Sequence, residues 1–459
     1  MMRGKAFRKE IDSMGEVEIP LEALYGPQTQ RALNNFRFTA PPLPWQFIEV
    51  LLEIKSAAAT ANRRLGLLDA QRATAIEKAV AKLLADRAAE HFPLTAYQTG
   101  SATSTNMNVN EVIVGMARLE GVSLSANDHV NLGQSSNDVI PSAIALTAAK
   151  MVKKRLIYTL SYLTAGIREV AARHQAVIKT GRTHLMDALP IRLEAEMEAW
   201  AAQLDESVQR LESCLPRLAR LPLGGTAVGS GVNCHPDFAP LVLDLLTIST
   251  GIPCSSAPSR YKNIATLDTV VELSGHLKAG AMAVNKIAED LRWMNSGPLS
   301  GLAEVRLPAL QPGSSIMPAK VNPVIPEAVR MACAQIVGND VTLALAGMGG
   351  NFQLNTMLPL AAQKIVESIV LLAESAAALW WKAIQDLVVN EEACRKALVR
   401  NPILVTALNP MIGYLRAAEI AKKAQEEGRP ILEVAAELTD IDRKELERLL
   451  DPTRLADGG

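Results

Sequence analysis

Five long segments with helical spacing constrain the fold of this chain most strongly. The first, SAIALTAAKMVKKRLIYTLSYLTAGIREVAARHQ, covers residues 142–175 and contains no proline. As one α-helix it would be about 50 Å long, at about 1.5 Å per residue. The other four segments cover residues 191–215, 267–294, 326–347 and 360–387. Together the five segments predict an all-α chain with a central bundle of long helices.

Several of these segments lack a polar face. In VLLAESAAALWW, within the last segment, Glu374 is the one charged residue. A helix that is apolar all round is usually buried, so we expect other subunits to cover part of this surface. The composition agrees with helices, because hydrophobic residues make up 49% of the chain and aromatic residues only 4%, with alanine and leucine prominent.

The change in residue pattern along the chain predicts three domains. Residues 1–138 mix short helical patches with polar loops such as QTGSATSTNMNVNE and ANDHVNLGQSSND, and they form a predicted N-terminal domain. Residues 139–392 contain the long segments and form the central helical domain. Residues 393–459 carry shorter helical stretches, RAAEIAKKAQEEG and ILEVAAEL, and form a small C-terminal helical domain.

Charge and cysteine content exclude several classes of protein. A formal net charge of −1 predicts no general attraction to nucleic acid or anionic membranes. The first 15 residues lack the apolar core of a secretory signal, and no apolar run reaches membrane-spanning length. Five cysteines without C-x-x-C spacing indicate buried free thiols rather than a zinc site. We therefore expect a cytoplasmic protein without a metal or cofactor.

The loop PGSSIMPAKVNP, residues 312–323, is open to more than one interpretation. It resembles a phosphate-binding loop, but Ala319 precedes Lys320 and Val321 follows it, so the second glycine and the metal-binding hydroxyl are missing. A mobile loop that closes over a substrate and an ordinary connection between helices both fit. GGTAVGSG, residues 224–231, lacks the preceding strand that a dinucleotide-binding turn requires.

Other polar residues each fit a structural role when taken singly. Glu327, which follows Pro326, suits the first position of a helix, and Ser136, Asn137 or Asp138 suits the cap of the helix expected after Pro141. His184, in GRTHLMD, suits an ordinary loop. Taken together, these hydroxyls, amides, one lysine and one histidine are the groups that bind a small dicarboxylate and stabilise a carbanion without a metal.

The chain resembles the fumarase/aspartase superfamily, and within it the class II fumarate hydratases. The blocks that carry the resemblance are QTGSATSTNMNVNE, NDHVNLGQSSND, GRTHLMDA, LGGTAVGSG and GSSIMPAKVNP, which occur in the family's order. The resemblance as a whole covers essentially the entire chain. The resemblance implies a lyase of the tricarboxylic acid cycle that hydrates fumarate to L-malate. It also implies a homotetramer with a 20-helix core and active sites built from three subunits.

The resemblance also assigns roles to individual residues. Ser314 would be the catalytic base, and His184 paired with Glu327 would polarise a water beside the leaving hydroxyl. The residues implied in substrate binding are Thr103, Ser135, Ser136, Asn137, Thr183, Lys320 and Asn322. Asn127 and Asp128 would belong to a second, peripheral dicarboxylate site, where Ser125 replaces a histidine of some relatives.

Several departures from the family pattern keep alternatives open. Ala102 stands at a usual glycine, Met186 at a usual glutamine, and Leu299 where many members have arginine. QSSND favours a fumarase, whereas AKVNPVIPE also occurs in aspartases. An aspartate ammonia-lyase and a non-catalytic relative are therefore the alternatives to a fumarate hydratase.

Overall fold

The computed structural model describes residues 6–458, and this part of the chain is mainly helical, which confirms the predicted fold class. Its α-helices are Pro27–Asn35 (α1), Trp45–Arg64 (α2), Ala70–Asp86 (α3), Thr103–Leu119 (α4), Ser136–Met151 (α5), Ile157–Arg173 (α6), Leu193–Leu218 (α7), Phe238–Thr250 (α8), Arg260–Ala265 (α9), Asp268–Met294 (α10), Val324–Gly347 (α11), Leu358–Leu379 (α12), Glu391–Arg400 (α13), Asn409–Ile412 (α14), Tyr414–Glu427 (α15), Ile431–Leu438 (α16), Arg443–Leu449 (α17) and Pro452–Ala456 (α18).

The strands form two-stranded pairs. They are Phe7–Asp12 (β1), Gly15–Pro20 (β2), Ile178–Thr183 (β3), Met186–Arg192 (β4), Arg220–Leu221 (β5), Ser255–Ser256 (β6), Val305–Arg306 (β7), Gly350–Asn351 (β8), Leu354–Asn355 (β9) and Val388–Val389 (β10). The pairs are β1 with β2, β3 with β4, β5 with β6, β7 with β10 and β8 with β9. The pair β3–β4 is an antiparallel hairpin whose strands flank His184 and Leu185, where the sequence predicted a loop.

The five predicted long helices are present. The first consists of α5 and α6, joined by a π-helical turn at Val152–Leu156. It begins at Ser136, so the prediction that it starts after Pro141 was wrong, and Pro141 lies inside α5. The other four are α7, α10, α11 and α12, and a second π-helical turn, Trp380–Ile384, follows α12.

One polar stretch predicted as a loop is mostly helical. Of QTGSATSTNMNVNE, the part from Thr103 onward belongs to α4. Asn106, Asn108 and Asn110 of this helix are buried, and their amide groups form hydrogen bonds inside the protein. The hydrogen bonds donated by these buried NH₂ groups outweigh the weak helix propensity of asparagine, although the Oδ1 atoms of Asn108 and Asn110 have no partner among the described residues.

The chain forms two compact units. The first contains residues up to 158, 209–281 and 334–373, and the second contains 159–208, 282–333 and the residues from 374 onward. Each of the five long helices contributes residues to both units. The three domains expected from the sequence stay a prediction, because this grouping follows contacts rather than chain order.

The core of the first unit is built around α2, which packs against α3, α4, α5 and α8. Its apolar residues Phe47, Leu51 and Ile54 are fully buried. In the second unit, the β3–β4 hairpin contacts α13 and α18. The C-terminal helices have their own apolar cluster, which includes Leu408 and Val434. Each unit thus has the buried apolar surface that stabilises a fold.

Contacts between side chains give the order of the long helices. In the first unit, Arg217 of α7 pairs with Glu272 of α10, Lys278 of α10 with Asp340 of α11 (2.6 Å), and Asn339 of α11 bonds Ser368 of α12 (3.1 Å). In the second unit, Arg168 of α6 pairs with Glu198 of α7 (2.7 Å), and Gly166 of α6 lies against Trp380 after α12. In the first unit these contacts place α7 beside α10, α10 beside α11 and α11 beside α12, and in the second unit they place α6 beside α7 and beside the turn after α12.

The cysteines are all free thiols, as the sequence predicted. Cys214, Cys333 and Cys394 are buried, but Cys234 and Cys254 are only half-buried. The prediction that all are buried was therefore wrong for these two, although burial still raises the pKa of each to about 11. In residues 6–458, no helix is long and apolar enough to cross a membrane.

Candidate active site

Two helix N-termini meet in the first unit and present hydroxyl groups. Thr103 is the first residue of α4, Ser136 is the first residue of α5, and their Oγ atoms are 2.7 Å apart. Ser101 Oγ lies 2.7 Å from Thr103 Oγ1. Free backbone N–H groups and the helix dipole at such N-termini favour a bound carboxylate. We call Thr103, Ser135, Ser136 and Asn137 the anchor cluster.

Asp138 holds the anchor cluster against a neighbouring loop. Its Oδ1 accepts a hydrogen bond from the N–H of Ser135 (2.9 Å), which is the N-cap of α5 and completes a capping box with Asp138. Its Oδ2 accepts hydrogen bonds from the N–H groups of Gly224 and Thr226, both at 2.9 Å. Of the residues predicted to cap this helix, Asp138 does so through the capping box, whereas the N-cap itself is Ser135 rather than Ser136 or Asn137.

The glycine-rich stretch at residues 224–231 belongs to this arrangement. Asn137 Nδ2 donates to the carbonyl of Ala227 at 2.8 Å. Gly224 and Thr226 both have positive φ, at 79° and 54°. This stretch therefore positions Asn137, a role that its sequence did not reveal. The signal that could have pointed to Asp138 is the spacing of Ser135 and Asp138, which matches the two ends of a capping box.

In the second unit, two backbone N–H groups of the 313–322 loop donate hydrogen bonds to the side chain of Ser314. The Ser314 Oγ accepts hydrogen bonds from the N–H groups of Ile316 (3.2 Å) and Met317 (3.0 Å). Donors aimed at a serine oxygen stabilise the alkoxide form, which is the form that can remove a proton. The loop thus gives Ser314 a local environment suited to a base.

The two ends of this loop are tied together. Gly313 N–H donates to the carbonyl of Lys320 (2.7 Å), and Asn322 Nδ2 donates to the carbonyl of Gly313 (2.8 Å). A Cβ at position 313 would approach the Lys320 carbonyl to 2.6 Å, so the close approach requires glycine. Lys320 Nζ donates to Asn322 Oδ1 at 2.7 Å. Lys320 and Asn322 therefore form one polar group at the end of the loop.

The turn of the β3–β4 hairpin presents His184. Thr183 pairs with Met186, and the two residues between them, His184 and Leu185, have φ values of 57° and 61°. A two-residue turn with both φ values positive normally contains asparagine and glycine. Two bulky residues in this conformation store strain, which is typical of functional sites. The turn leaves Thr183 and His184 exposed.

Glu327 lies in the first turn of α11, at its fourth rather than its first residue. The histidines that lie beside a carboxylate in residues 6–458 are His91 (3.8 Å), His235 (3.9 Å) and His276 (3.7 Å), so His184 of one chain has no such contact with Glu327. Glu327, Lys320 and Asn322 line a cavity of about 840 Å³ in the second unit. Its other charged lining residues are Arg292 and Arg306, so cationic groups predominate, as suits an anionic ligand.

Two alanines of the motif blocks have a strained backbone. Ala102, which stands at a usual glycine, has φ 54°, and Ala319, in the 313–322 loop, has φ 66°, both in the left-handed region. Each alanine therefore carries a conformational cost of about 1 kcal/mol that glycine would avoid. Two other departures, Met186 and Leu299, are exposed side chains.

The residues of the possible second site lie elsewhere in the first unit. Asn127 and Asp128 are exposed in a π-helical turn, Ala126–Val130. Ser125 Oγ donates a hydrogen bond to Asp128 Oδ2 at 2.7 Å, so this carboxylate oxygen already has a partner within the turn. Asn127 lines a cavity of about 350 Å³ with Arg118 and Glu111. A second dicarboxylate site here stays a prediction.

Comparison with known proteins establishes the family. Residues 15–338 match the lyase family profile, and residues 404–457 match the profile described as the fumarase C C-terminus. These matches agree with the motif blocks and with the helical bundle described above. The chain belongs to the lyases of the fumarase/aspartase superfamily, as its sequence motifs predicted.

Individual relatives are class II fumarases. The chain is 52% identical over 453 residues to fumarate hydratase class II 2 of Pseudomonas aeruginosa, covering 98% of this chain and 99% of that protein. It is 50% identical over 460 residues to a class II fumarate hydratase of Xylella fastidiosa, covering 100% and 97%. The solved class II fumarase of Schistosoma mansoni superposes with a TM-score of 0.94 at 34% identity, covering 98% and 99%.

Proposed function

We propose that this protein is a fumarate hydratase, which adds water to fumarate to give L-malate and catalyses the reverse elimination. The observation that carries the proposal is the full-length similarity to class II fumarate hydratases, at 52% identity, with every proposed catalytic residue present. The retained Ser314, Lys320 and His184 also argue against a non-catalytic relative.

In the elimination direction, Ser314 removes the proton from the carbon next to one carboxylate of malate. The N–H groups of Ile316 and Met317 on its Oγ support the alkoxide that this step needs. The electron pair left behind moves into the adjacent carboxylate, which becomes an aci-carboxylate with an extra negative charge. Lys320, Asn322 and Thr183 bind this group, so the added charge develops against a cation and amide donors.

The hydroxyl leaves from the other face of the C–C bond. His184, with Glu327 from a neighbouring subunit, polarises a water that protonates the departing hydroxyl. The carboxylate of Glu327 orients the imidazole and favours its protonated form. Thr103, Ser135, Ser136 and Asn137 hold the second carboxylate and the hydroxyl. A proton leaves on one face and a hydroxyl on the other, which gives an anti elimination.

The test compares water with ammonia as the added nucleophile. We expect the ultraviolet absorbance of fumarate to fall at the same rate in buffer with and without ammonium, with malate as the product identified by chromatography. An aspartate ammonia-lyase would require ammonium and would form aspartate. Consumption of fumarate only with ammonium would therefore replace the present proposal by that activity.

We further propose that the protein is a homotetramer and that each active site combines residues of three subunits. The separation of His184 from Glu327 within one chain supports this arrangement. So does an exposed stripe on α11 that repeats every three and four residues, as in helices that pack against a partner helix. Its residues are Met331, Ala334, Gly338, Val341 and Leu345. The same stripe on other copies is its natural partner.

Replacing Val341 with aspartate is expected to break the tetramer. This valine is 58% exposed in one chain, and assembly would bury the new carboxylate at a cost of several kcal/mol. Size-exclusion chromatography with light scattering should show smaller species, and activity should be lost with them. Val399→Asp is the matched control, because Val399 is 47% exposed on α13, outside the stripe. A Val341→Asp protein that stays tetrameric would contradict the proposed interface.

The site of action proposed for the enzyme is the cytoplasm. Free thiols throughout residues 6–458 support a reducing compartment. The substrates proposed, fumarate and malate, are small dicarboxylates that need neither a nucleic acid nor a membrane partner.

A further inference from the structure

Beneath the anchor cluster, the first unit buries a lysine that the mechanism does not use. Lys55 lies on α2 and its side chain is fully buried. Its ammonium donates to three side-chain amide oxygens: Asn106 Oδ1 (2.8 Å), Asn131 Oδ1 (3.0 Å) and Gln134 Oε1 (3.0 Å). An ammonium has three N–H groups, so each one has a partner. Burying a charged ammonium costs desolvation free energy, so its presence here indicates a structural or functional role.

The three partners belong to the two segments that carry the anchor cluster. Asn106 is one helical turn after Thr103 on α4, and Gln134 directly precedes Ser135. Asn131 joins them, because its Oδ1 also accepts from Asn106 Nδ2 (3.1 Å) and its Nδ2 donates to the carbonyl of Gln134 (3.1 Å). The lysine therefore connects, from the inner side, the same two segments whose hydroxyls meet at the site.

An ammonium also fixes the direction of these amides. It can only donate, so each amide must turn its oxygen toward Lys55 and its NH₂ group away. The Gln134 NH₂ then donates to the carbonyls of Val130 (3.1 Å) and Leu132 (3.3 Å), which fixes the chain just before the N-cap of α5. A neutral side chain at position 55 would leave these orientations unspecified.

The buried charge is balanced by Asp138, which is also fully buried. The two residues do not bond each other directly: Lys55 donates to amide oxygens, and Asp138 accepts from the N–H groups of Ser135, Gly224 and Thr226. Burial lowers the pKa of Lys55 to about 7 and raises that of Asp138 to about 6, and each charge opposes the shift of the other. The lysine thus orders α4 against α5, and the aspartate orders α5 against the loop at residues 224–227.

We propose that Lys55 is a positioning residue of the active site: through Asn106, Asn131 and Gln134 it sets the spacing between Thr103 and the Ser135–Asn137 segment that binds the substrate. This inference rests on the proposed function, since it assigns a purpose to the anchor cluster. Lys55 itself does not touch the substrate. Its effect is therefore on the binding geometry rather than on proton transfer.

The test is Lys55→Met, which keeps the length of the side chain and removes its charge. We expect KM for fumarate to rise about tenfold or more, with a smaller change in kcat, because misplaced binding groups weaken substrate binding. Lys150→Met is the matched control. Lys150 also connects α5 to α2, through Glu49 (2.5 Å) and Glu53 (2.7 Å), but away from the anchor cluster. It should lower stability and leave KM unchanged.

A second variant keeps the inference testable if Lys55→Met does not fold. Gln134→Ala removes one of the three oxygen partners from a half-buried position, and it should raise KM several-fold. When Lys55→Met does fold, the double variant should resemble Lys55→Met alone, because both changes disturb one network. A folded Lys55→Met or Gln134→Ala enzyme with unchanged KM would overturn the inference.

Binding of succinate, measured by calorimetry, separates this inference from the proposed function. Succinate is a dicarboxylate that cannot be hydrated. If the unaltered protein binds succinate but does not hydrate fumarate, the proposed function fails, and weaker succinate binding by the variants still supports the role of Lys55. If the protein hydrates fumarate and the variants bind succinate as well as the unaltered protein does, only the inference fails. A protein that does neither contradicts both.

Discussion

Replacing Ser314 with alanine is expected to lower kcat for malate dehydration by about a thousandfold, the typical contribution of a positioned general base. The substitution removes the oxygen that takes the proton and leaves the loop closed, because the bonds between Gly313, Lys320 and Asn322 do not involve this side chain. The KM for malate should change little, since the serine acts in the transition state rather than in binding.

Ser315→Ala is the matched control for this prediction. Ser315 is the neighbouring hydroxyl in the loop, exposed where Ser314 is half-buried, and no role in proton removal is assigned to it. The two variants should be compared by kcat and by the exchange of the malate C–H proton with deuterated water. Exchange should be lost in Ser314→Ala and kept in Ser315→Ala. Equal activity of Ser314→Ala and the unaltered enzyme would remove Ser314 from the mechanism.

Two inactive variants are expected to restore activity when they assemble together. If Ser314 and His184 of one site come from different chains, co-expressed Ser314→Ala and His184→Asn subunits will form some sites with both residues intact. Random assembly in equal amounts gives intact residues at about a quarter of the sites. Asparagine is chosen at position 184 because it tolerates the left-handed backbone that His184 adopts, with φ 57°.

The measurement is the activity of tetramers purified through different tags on the two variants. Co-expression of two differently tagged Ser314→Ala chains is the control, and it should stay inactive. Mixed tetramers without activity would mean that one chain supplies both residues to the same site, which would contradict the shared active site.

The long helices could be predicted from sequence because their pattern is periodic and local. The apolar spacing in residues 142–175 needs no partner to be recognised, and the structure has α5, its π-helical turn and α6 there. The start was misplaced because Pro141 usually marks a helix boundary. The capping box of Ser135 and Asp138 fixes the true start. Asp138 is held in place in addition by the N–H of Gly224, which is 86 residues away in the chain.

The asparagine-rich part of α4 could not be recognised in the same way. Asparagine in sequence favours loops, and it is stable in this helix because of partners such as Asn131 and Lys55, which come from other segments. The candidate site residues were predicted from their motifs, but the motifs did not contain the contacts that position them. Lys55 sits in an apolar stretch of α2, EIKSAAATAN, where it looks like an ordinary charged residue on a helix surface.

The turn at His184 and Leu185 has a consequence for protein engineering. A search for stabilising substitutions that scores local backbone preference would rank this pair among the first to replace, since Asn-Gly suits a turn of this shape far better. The resulting variant would fold with a relaxed hairpin and would lack the imidazole. Thermal tolerance and turnover are therefore expected to oppose each other at this turn, and libraries aimed at a hardier enzyme should hold its two residues constant.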